Sequence, residues 1–308
     1  MKDTIDAVTL IEDVEGNREA WKELRKTTIG SSEIVSVCGL NPYQTPLALW
    51  AKKTGKQEDE PENEFMRLGR FMEPFIGQLF GRETEREVKP ANALYRHKTI
   101  EFATASPDFF TTKEGADLQI VETKNVSAHR HADWQDGNIP NAAHMQLIWQ
   151  LGVLGLDAGY VAALVGASPN NFYYPHLEFS QELFDQMIEL GSRFLMNVQQ
   201  DIPPAAQSED KNLIEKLSNR QKDKEMDLPE SAGTLLHDYE QAKKMLKSAQ
   251  TTMEGYQAIV KTVEAQLLQM LGDASIGHYG EATVKATRVE TKGHFVKGSA
   301  YTRITIKL

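Results

Sequence analysis

Cysteine is almost missing from this 308-residue chain, which has only Cys38, so no intrachain disulfide framework can hold the fold together. Also missing is any apolar run near the roughly 18 residues that a membrane-spanning helix requires. No positively charged stretch followed by an apolar one opens the chain, which argues against a secretory leader. Together these absences predict a protein of the reducing cytoplasm that makes no use of a membrane. An excess of positive charge is lacking as well: 34 Lys and Arg face 44 Asp and Glu, for a net charge of -10. That excludes a surface basic all over, but not a local basic groove for nucleic acid, because phosphate contacts depend on where the cations sit.

What is present divides the chain unevenly. Up to about residue 200 helical and strand patterns alternate, and the helix expected from Phe179 to Gln200 must stop at Pro203 and Pro204, which cannot continue it. The expected organisation is a first domain over 1–204, a linker with a marginal helix over 205–228, and a separate module over 229–308. In that module Tyr239, Ala242, Leu246, Ala249, Met253, Tyr256, Val260, Val263, Leu267 and Met270 recur at intervals alternating three and four. This is a heptad seam that calls for a coiled-coil partner, either the preceding helix or another subunit. A long amphipathic helix lying on its own domain is the plainer alternative. Residues 282–290 and 301–308 alternate with period two and predict a hairpin. From 281 to 308 six cations, Lys285, Arg288, Lys292, Lys297, Arg303 and Lys307, oppose Glu281 and Glu290. Such a hairpin either touches DNA or presents a solvated strand face.

The chemistry-bearing stretch runs from Ala103 to Val126. Residues 104–110 form one extended segment ending in Ser106-Pro107-Asp108, residues 118–124 form the next, and Lys113 to Asp117 between them has turn composition. Alternate residues of a strand share a face, so Glu122 and Lys124 point one way, and closing the hairpin delivers Asp108 beside them. Two carboxylates and an ammonium crowded on a sheet repel or desolvate unless something compensates. A hard divalent cation does so: Mg²⁺ accepts one or two carboxylates and keeps waters for substrate phosphate oxygens. Taken alone, this spacing also fits an ordinary hairpin with charges paired across its strands.

In their order along some 130 residues, the motifs resemble those of the phage-type alkaline exonucleases, the YqaJ and lambda-exonuclease group of the PD-(D/E)XK nucleases, with the resemblance spanning roughly residues 18 to 200. It implies an α/β fold, a mixed sheet flanked by helices such as 32–40, 64–80, 142–154 and 181–200. Ser106-Pro107-Asp108 and Glu122-Thr123-Lys124 are similar to the family's catalytic core. By that resemblance Asp108 and Glu122 bind metal, the Thr123 carbonyl completes the shell, and Lys124 assists the nucleophile. Trp21 to Arg25 followed by Ile29-Gly30-Ser31-Ser32-Glu33-Ile34 looks like the entry motif whose Arg and second Ser, here Arg25 and Ser32, hold a DNA phosphate; Ser106 is counted with them. An ordinary helix cap with a surface Arg25 is the alternative reading of the same residues. Leu68 to Pro74 resembles the segment that brings a helical Glu, here Glu73, to the metal, with Gly69 and Gly77 on the same side for close backbone approach. His144 to Gln150 resembles the helix carrying a Gln near the nucleophilic water, and counting nine residues back from Gly155 selects Gln146. The family often has an aromatic residue one turn earlier, and here that position is Ala143.

The resemblance thus implies a Mg²⁺-dependent deoxyribonuclease, with Mn²⁺ as substitute, that degrades double-stranded DNA ends 5′ to 3′ in a bacterial or phage-infected cell. It would act in recombination beside a single-strand annealing protein, as a ring-shaped homo-oligomer, a trimer being the best known case. A PD-(D/E)XK endonuclease and a non-catalytic DNA-binding scaffold are the alternatives. His129, His131 and His144 are spaced poorly for a tetrahedral zinc set and read as ordinary polar or phosphate-neighbouring histidines.

Overall fold

The computed structural model describes residues 4–58, 63–114, 117–218, 224–290 and 300–307, with side chains described up to residue 288. The helices, in chain order, are α1 (Arg18–Arg25), α2 (Ser31–Val37), α3 (Pro46–Lys53), α4 (Glu64–Thr84), α5 (Asn141–Leu154), α6 (Gln181–Gln199), α7 (Lys211–Leu217) and α8 (Ala232–Leu271). The strands are β1 (Ala7–Glu12), β2 (Glu87–Pro90), β3 (Ala93–His97), β4 (Thr104–Ala105), β5 (Phe109–Thr112), β6 (Gln119–Val126), β7 (Ala158–Val165), β8 (Phe172–Tyr173), β9 (His176–Glu178), β10 (Ile276–Tyr279), β11 (Ala282–Glu290) and β12 (Ala300–Lys307). The chain forms two compact units that divide between residues 220 and 221.

Local chemistry explains where the helices of the first unit begin. Thr45 accepts the Ala48 N–H at 3.0 Å ahead of Pro46, Asn63 accepts the Met66 N–H at 2.9 Å, and Ser180 caps α6 through the Leu183 N–H. Each side chain takes up one of the backbone donors that a helix start leaves without a partner. At the other end of α5, Gly155 takes φ +64°, the left-handed geometry that stops a helix cheaply.

The central sheet has the order β2-β5-β6-β7-β8, with β9 also pairing with β7; β6 and β7 run parallel and the other pairs antiparallel. A parallel neighbour needs a crossover, and α5 supplies it. Strand β6 is thereby buried on both faces. Ile120 packs with Leu147 and Leu151 of α5, whereas Val121 packs with Ile76, Leu79 and Phe80 of α4. A second sheet, β1-β3-β4, lies beyond α5, which donates from Trp149 Nε1 to the Thr104 carbonyl at 2.9 Å.

The division into units falls later than the expected boundary at 204. Residues 205–217 are not a free connector: Asp210 is buried and bonded to Thr45 Oγ1 at 2.5 Å, and Leu213 and Ile214 of α7 pack against the main core. Burial of a few apolar side chains overrides the polar composition that suggests a linker. In the second unit α8 is one continuous helix of 40 residues, ended by Gly272 at φ +58°. It is followed by an antiparallel β10-β11-β12 sheet, one strand more than the expected hairpin. Residues Gly115 and Ala116 of the expected turn and Lys292 and Lys297 of the expected basic hairpin lie outside the described residues.

Gly69 and Gly77, expected to serve one purpose on α4, serve different ones. A Cβ on Gly77 would stand 2.7 Å from Phe109 Cζ, inside contact distance, whereas a Cβ on Gly69 meets nothing within 4 Å. Gly77 therefore lets the first residue of β5 lie against α4. Gly77→Ala is expected to destabilise the protein by about 1–3 kcal/mol through overpacking, and Gly69→Ala to stabilise it by about 0.5–1 kcal/mol through helix propensity. Chemical denaturation of the two variants beside the wild type checks the opposite signs.

Candidate active site

The register of one hairpin builds the site. Phe109 pairs with Val121 and Phe110 with Ile120, so Asp108, the residue before β5, stands level with the Glu122–Thr123 step of β6. Its Oδ2 accepts both the Thr123 N–H and the Thr123 hydroxyl, each at 2.7 Å. These bonds fix Asp108 at the point where the two strands part.

On the α5 side of β6 the contacts are denser. Glu122, 4% exposed, accepts at Oε1 from Lys124 Nζ and from Gln146 Nε2, both at 2.6 Å. Lys124 Nζ also donates to Gln146 Oε1 at 2.9 Å, which closes a triangle of Glu, Lys and Gln. Gln150, one turn further along α5 and fully buried, donates to Glu122 Oε2 at 2.8 Å and to Ser31 Oγ at 3.4 Å. Among the described residues its own Oε1 has no partner. An orphaned buried acceptor costs about 1–3 kcal/mol; its amide is oriented by the carboxylate, not by its own satisfaction.

Charge is not balanced here. Burial, with the Glu122 and Glu73 carboxylates nearby, pushes the Asp108 carboxyl well above its usual range, against the pull of Lys124 and the Thr123 N–H. Burial and Glu122 likewise raise Glu73, against Lys124 and Arg70. Burial would lower the Lys124 pKa, but Glu122, Asp108 and Glu73 outweigh it and hold the ammonium above its ordinary value. The firmly charged Lys124 ammonium thus sits among three acids, with Arg70 acting on Glu73 as well. Groups so placed take up protons or a cation.

The Asp108 and Glu122 carboxylates are oxygen donors of the kind that suits a hard cation, and Thr123 turns its N–H and hydroxyl to Asp108. Among the described residues no three His, Cys, Asp or Glu side chains converge as a ready metal cluster. An ion such as Mg²⁺, which keeps several waters, takes only one or two carboxylates from a protein.

The expected phosphate residues are distributed unevenly. Arg25 is stacked over Trp21 at 4.5 Å and donates from Nε and Nη2 to Glu33 Oε1, at 3.2 and 2.9 Å. Glu33 is buried and also receives Lys53 Nζ at 3.2 Å and the Gly30 N–H at 3.0 Å; Lys53 further donates to the carbonyls of Arg25 and Thr28. Ser32 is exposed at the start of α2, beside buried Ser31. Ser106 differs from expectation: its hydroxyl donates to the Ala93 carbonyl at 2.8 Å, so the proton it would offer a phosphate is already engaged in holding the β3–β5 connection. His131 bonds Tyr173 Oη at 2.6 Å and His129 bonds Ser127 Oγ at 2.9 Å, both away from the acids.

Three contributors escape the sequence reading. Glu33 had a signal, a Gly-Ser-Ser-Glu stretch with capping-box spacing. Gln150 had one too, since it shares a helix face with Gln146. Lys53 had none, because only the packing of α3 beneath the α1–α2 connection brings it to Glu33.

Fold and site together define an α/β protein with an acid–lysine centre held where two strands of a mixed sheet diverge. Residues 20–160 match the YqaJ-like viral recombinase domain. It is 26% identical over 298 residues to the uncharacterized protein YqaJ of Bacillus subtilis (strain 168), covering 93% of this chain and 90% of that one, so the likeness reaches through both compact units. Among solved structures it resembles LHK-Exo in complex with dAMP, at 20% identity and a TM-score of 0.50 over 65% of this chain and 100% of that one, a likeness of fold. A second structure of LHK-Exo, an alkaline exonuclease from Laribacter hongkongensis, gives 19% identity, the same coverage and a TM-score of 0.49.

The raised acids set the sign of a pH effect. A carboxyl whose folded pKa lies above its unfolded value costs stability once the pH exceeds both, and the cost vanishes as the pH falls below them. In chelator, thermal unfolding of the wild type is therefore expected to move to lower temperature as the pH climbs from acid towards 8. Asp108→Asn, which keeps an acceptor for the Thr123 donors, should unfold a few degrees higher than the wild type at pH 8 and show a flatter pH dependence by scanning calorimetry.

Proposed function

We propose that this protein is a metal-dependent exonuclease that hydrolyses phosphodiester bonds at the ends of double-stranded DNA, proceeding 5′ to 3′, with Asp108, Glu122 and Lys124 as its working centre. The observation that carries the reading is the Glu122–Lys124–Gln146 triangle standing beside Asp108, within residues 20–160 that match the YqaJ-like viral recombinase domain. The complex of LHK-Exo, which shares the fold, with a nucleotide supports the same substrate class.

Asp108, Glu122 and the Thr123 carbonyl would hold Mg²⁺, with Mn²⁺ as substitute. Such an ion lowers the pKa of bound water and neutralises charge developing on the phosphate. Lys124 keeps its proton and places a fixed positive charge beside the reacting phosphate, where preorganised charge counts most. Gln146, held by both Glu122 and Lys124, offers its amide to orient the attacking water. Glu73, its pKa raised, is suited to hold a proton near the site and pass it on. Arg25, with N–H groups left over after pairing with Glu33, and exposed Ser32 would take the terminal phosphate. The guanidinium fork fits phosphate oxygens, and the Glu33 pair keeps it from swinging away. Double-stranded ends would be resected for an annealing recombinase by a ring-shaped homo-oligomer, a trimer, whose acidic exterior encloses a basic channel; the net charge of -10 accommodates that arrangement.

The decisive assay offers linear duplex, with or without a 5′ phosphate, beside covalently closed circles in Mg²⁺. Degradation of the linear DNA only, faster with the 5′ phosphate, is expected; cutting of the circles would point to an endonuclease instead. Asp108→Ala and Lys124→Ala should each lower the rate at least about 10²-fold, and equal degradation by both variants and wild type would locate the activity elsewhere. Gln150→Leu removes a donor from Glu122 together with an orphaned acceptor. It is expected to keep the unfolding temperature within a few degrees while lowering Mg²⁺ affinity or rate about 10- to 100-fold, as supporting residues do.

A further inference from the structure

Helix α8 carries the broadest apolar stripe in the second unit. Leu235, Tyr239, Leu246, Met253, Tyr256 and Val260 are each more than half exposed along it. A helix of 40 residues spans about 60 Å, and such a surface on an otherwise polar helix marks a contact. Helix α7, with seven residues, is too short to match this stripe, and its Leu213 and Ile214 are taken up by the core of the first unit, to which it belongs.

The sequence of the seam says what fits it. In heptad terms Tyr239, Leu246, Met253, Val260 and Leu267 stand at a, and Ala242, Ala249, Tyr256, Val263 and Met270 at d. Set antiparallel on itself about its midpoint, the seam pairs Tyr239 with Met270, Ala242 with Leu267, Leu246 with Val263, Ala249 with Val260 and Met253 with Tyr256. Each small side chain then meets a larger one, which keeps the layers filled. A parallel pair would set Ala242 and Ala249 against themselves and Tyr239 and Tyr256 against themselves, alternating gaps with crowding.

Flanking positions give an independent reading of orientation. In the antiparallel register the residues next to d face one another across the pair: Leu236 with Leu271, Lys243 with Glu264, and Gln250 with Gln257. Apolar meets apolar, cation meets anion and amide meets amide on this flank, and on the other Met245 meets Gln266 and Thr252 meets Ile259, with no charge set against an apolar side chain. A parallel pair would match Asp238 with Lys243 but set Met245 against Gln250 and Ile259 against Glu264. The intrahelical Lys244–Glu240 pair at 3.0 Å lies on the outer face in either case.

We infer that α8 is a self-association element, two copies of this chain joining through their α8 helices as an antiparallel coiled coil. The inference stands apart from the DNA-cleaving reading, since no residue of the site takes part. It means that a nuclease ring would be bridged to another chain through its second unit.

The test uses the full chain with Cys38→Ser as background. Ala249→Cys and Val260→Cys are introduced singly and together, oxidised gently at micromolar concentration, and run on a denaturing gel without reductant. The double variant should form a disulfide-linked dimer in at least tenfold excess over either single variant, because the antiparallel register brings position 249 of one copy only to position 260 of the other. Linking of Ala249→Cys alone would mean a parallel pair, and no linking in any variant, with helix content by circular dichroism unchanged, would mean that something else covers the seam; either overturns the inference. Adding Lys243→Glu or Glu264→Lys to the double variant should weaken the cross-link several-fold, and adding both should restore it; no restoration would count against the register.

Discussion

The pairing of β5 with β6 in a single register is the constraint on which the site depends. A strand shifted by one residue turns every side chain to the opposite face, so a slip here would send Glu122 and Lys124 into the apolar layer beneath α4 and bring Val121 out towards Gln146. Several features hold the register. Phe109 and Val121 are locked together under α4, where Gly77 leaves room for the Phe109 ring. Thr123 closes the end of the ladder by donating twice to Asp108. Parallel pairing with β7 fixes the other edge of β6.

That frame holds charges in an arrangement that would not form in water. Glu122 is nearly buried, yet Lys124, Gln146 and Gln150 all donate to it, one ammonium and two amides. Asp108 and Glu73 lack comparable compensation, and their carboxyls rise accordingly. Folding energy from the apolar layers on either side of β6 stabilises a cluster that repels itself, and the negative charge left over is what the proposed divalent cation would offset. The chain's overall acidity has little bearing on this, because electrostatics at such distances is decided by a handful of groups.

The second unit follows a different logic. Its long helix leaves an apolar stripe in the open, whereas the first unit packs two buried apolar layers and, among the described residues, leaves only Phe65, Met66, Leu68, Phe71 and Phe75 of α4 as a comparable exposed set. The likeness to the Bacillus subtilis protein extends over both units, so the module is a shared part of these chains.

Much of this was legible before any coordinates. The helices expected at 64–80, 142–154 and 181–200 from the family resemblance lie at Glu64–Thr84, Asn141–Leu154 and Gln181–Gln199, and the capping residues that start the first and last of them act over a single turn. The order of the motifs, matched to a known family, singled out Asp108, Glu122, Lys124 and Gln146. Other features were beyond such reasoning. That residues 208–217 pack into the first unit instead of linking it to the second, that the Ser106 hydroxyl donates to the Ala93 carbonyl, that Lys53 lies against Glu33 and that Gln150 reaches from Ser31 to Glu122 were decided by tertiary structure alone. The partners in those contacts stand between 13 and 165 positions apart, and no periodicity in a chain reports which distant groups packing will bring within hydrogen-bonding reach.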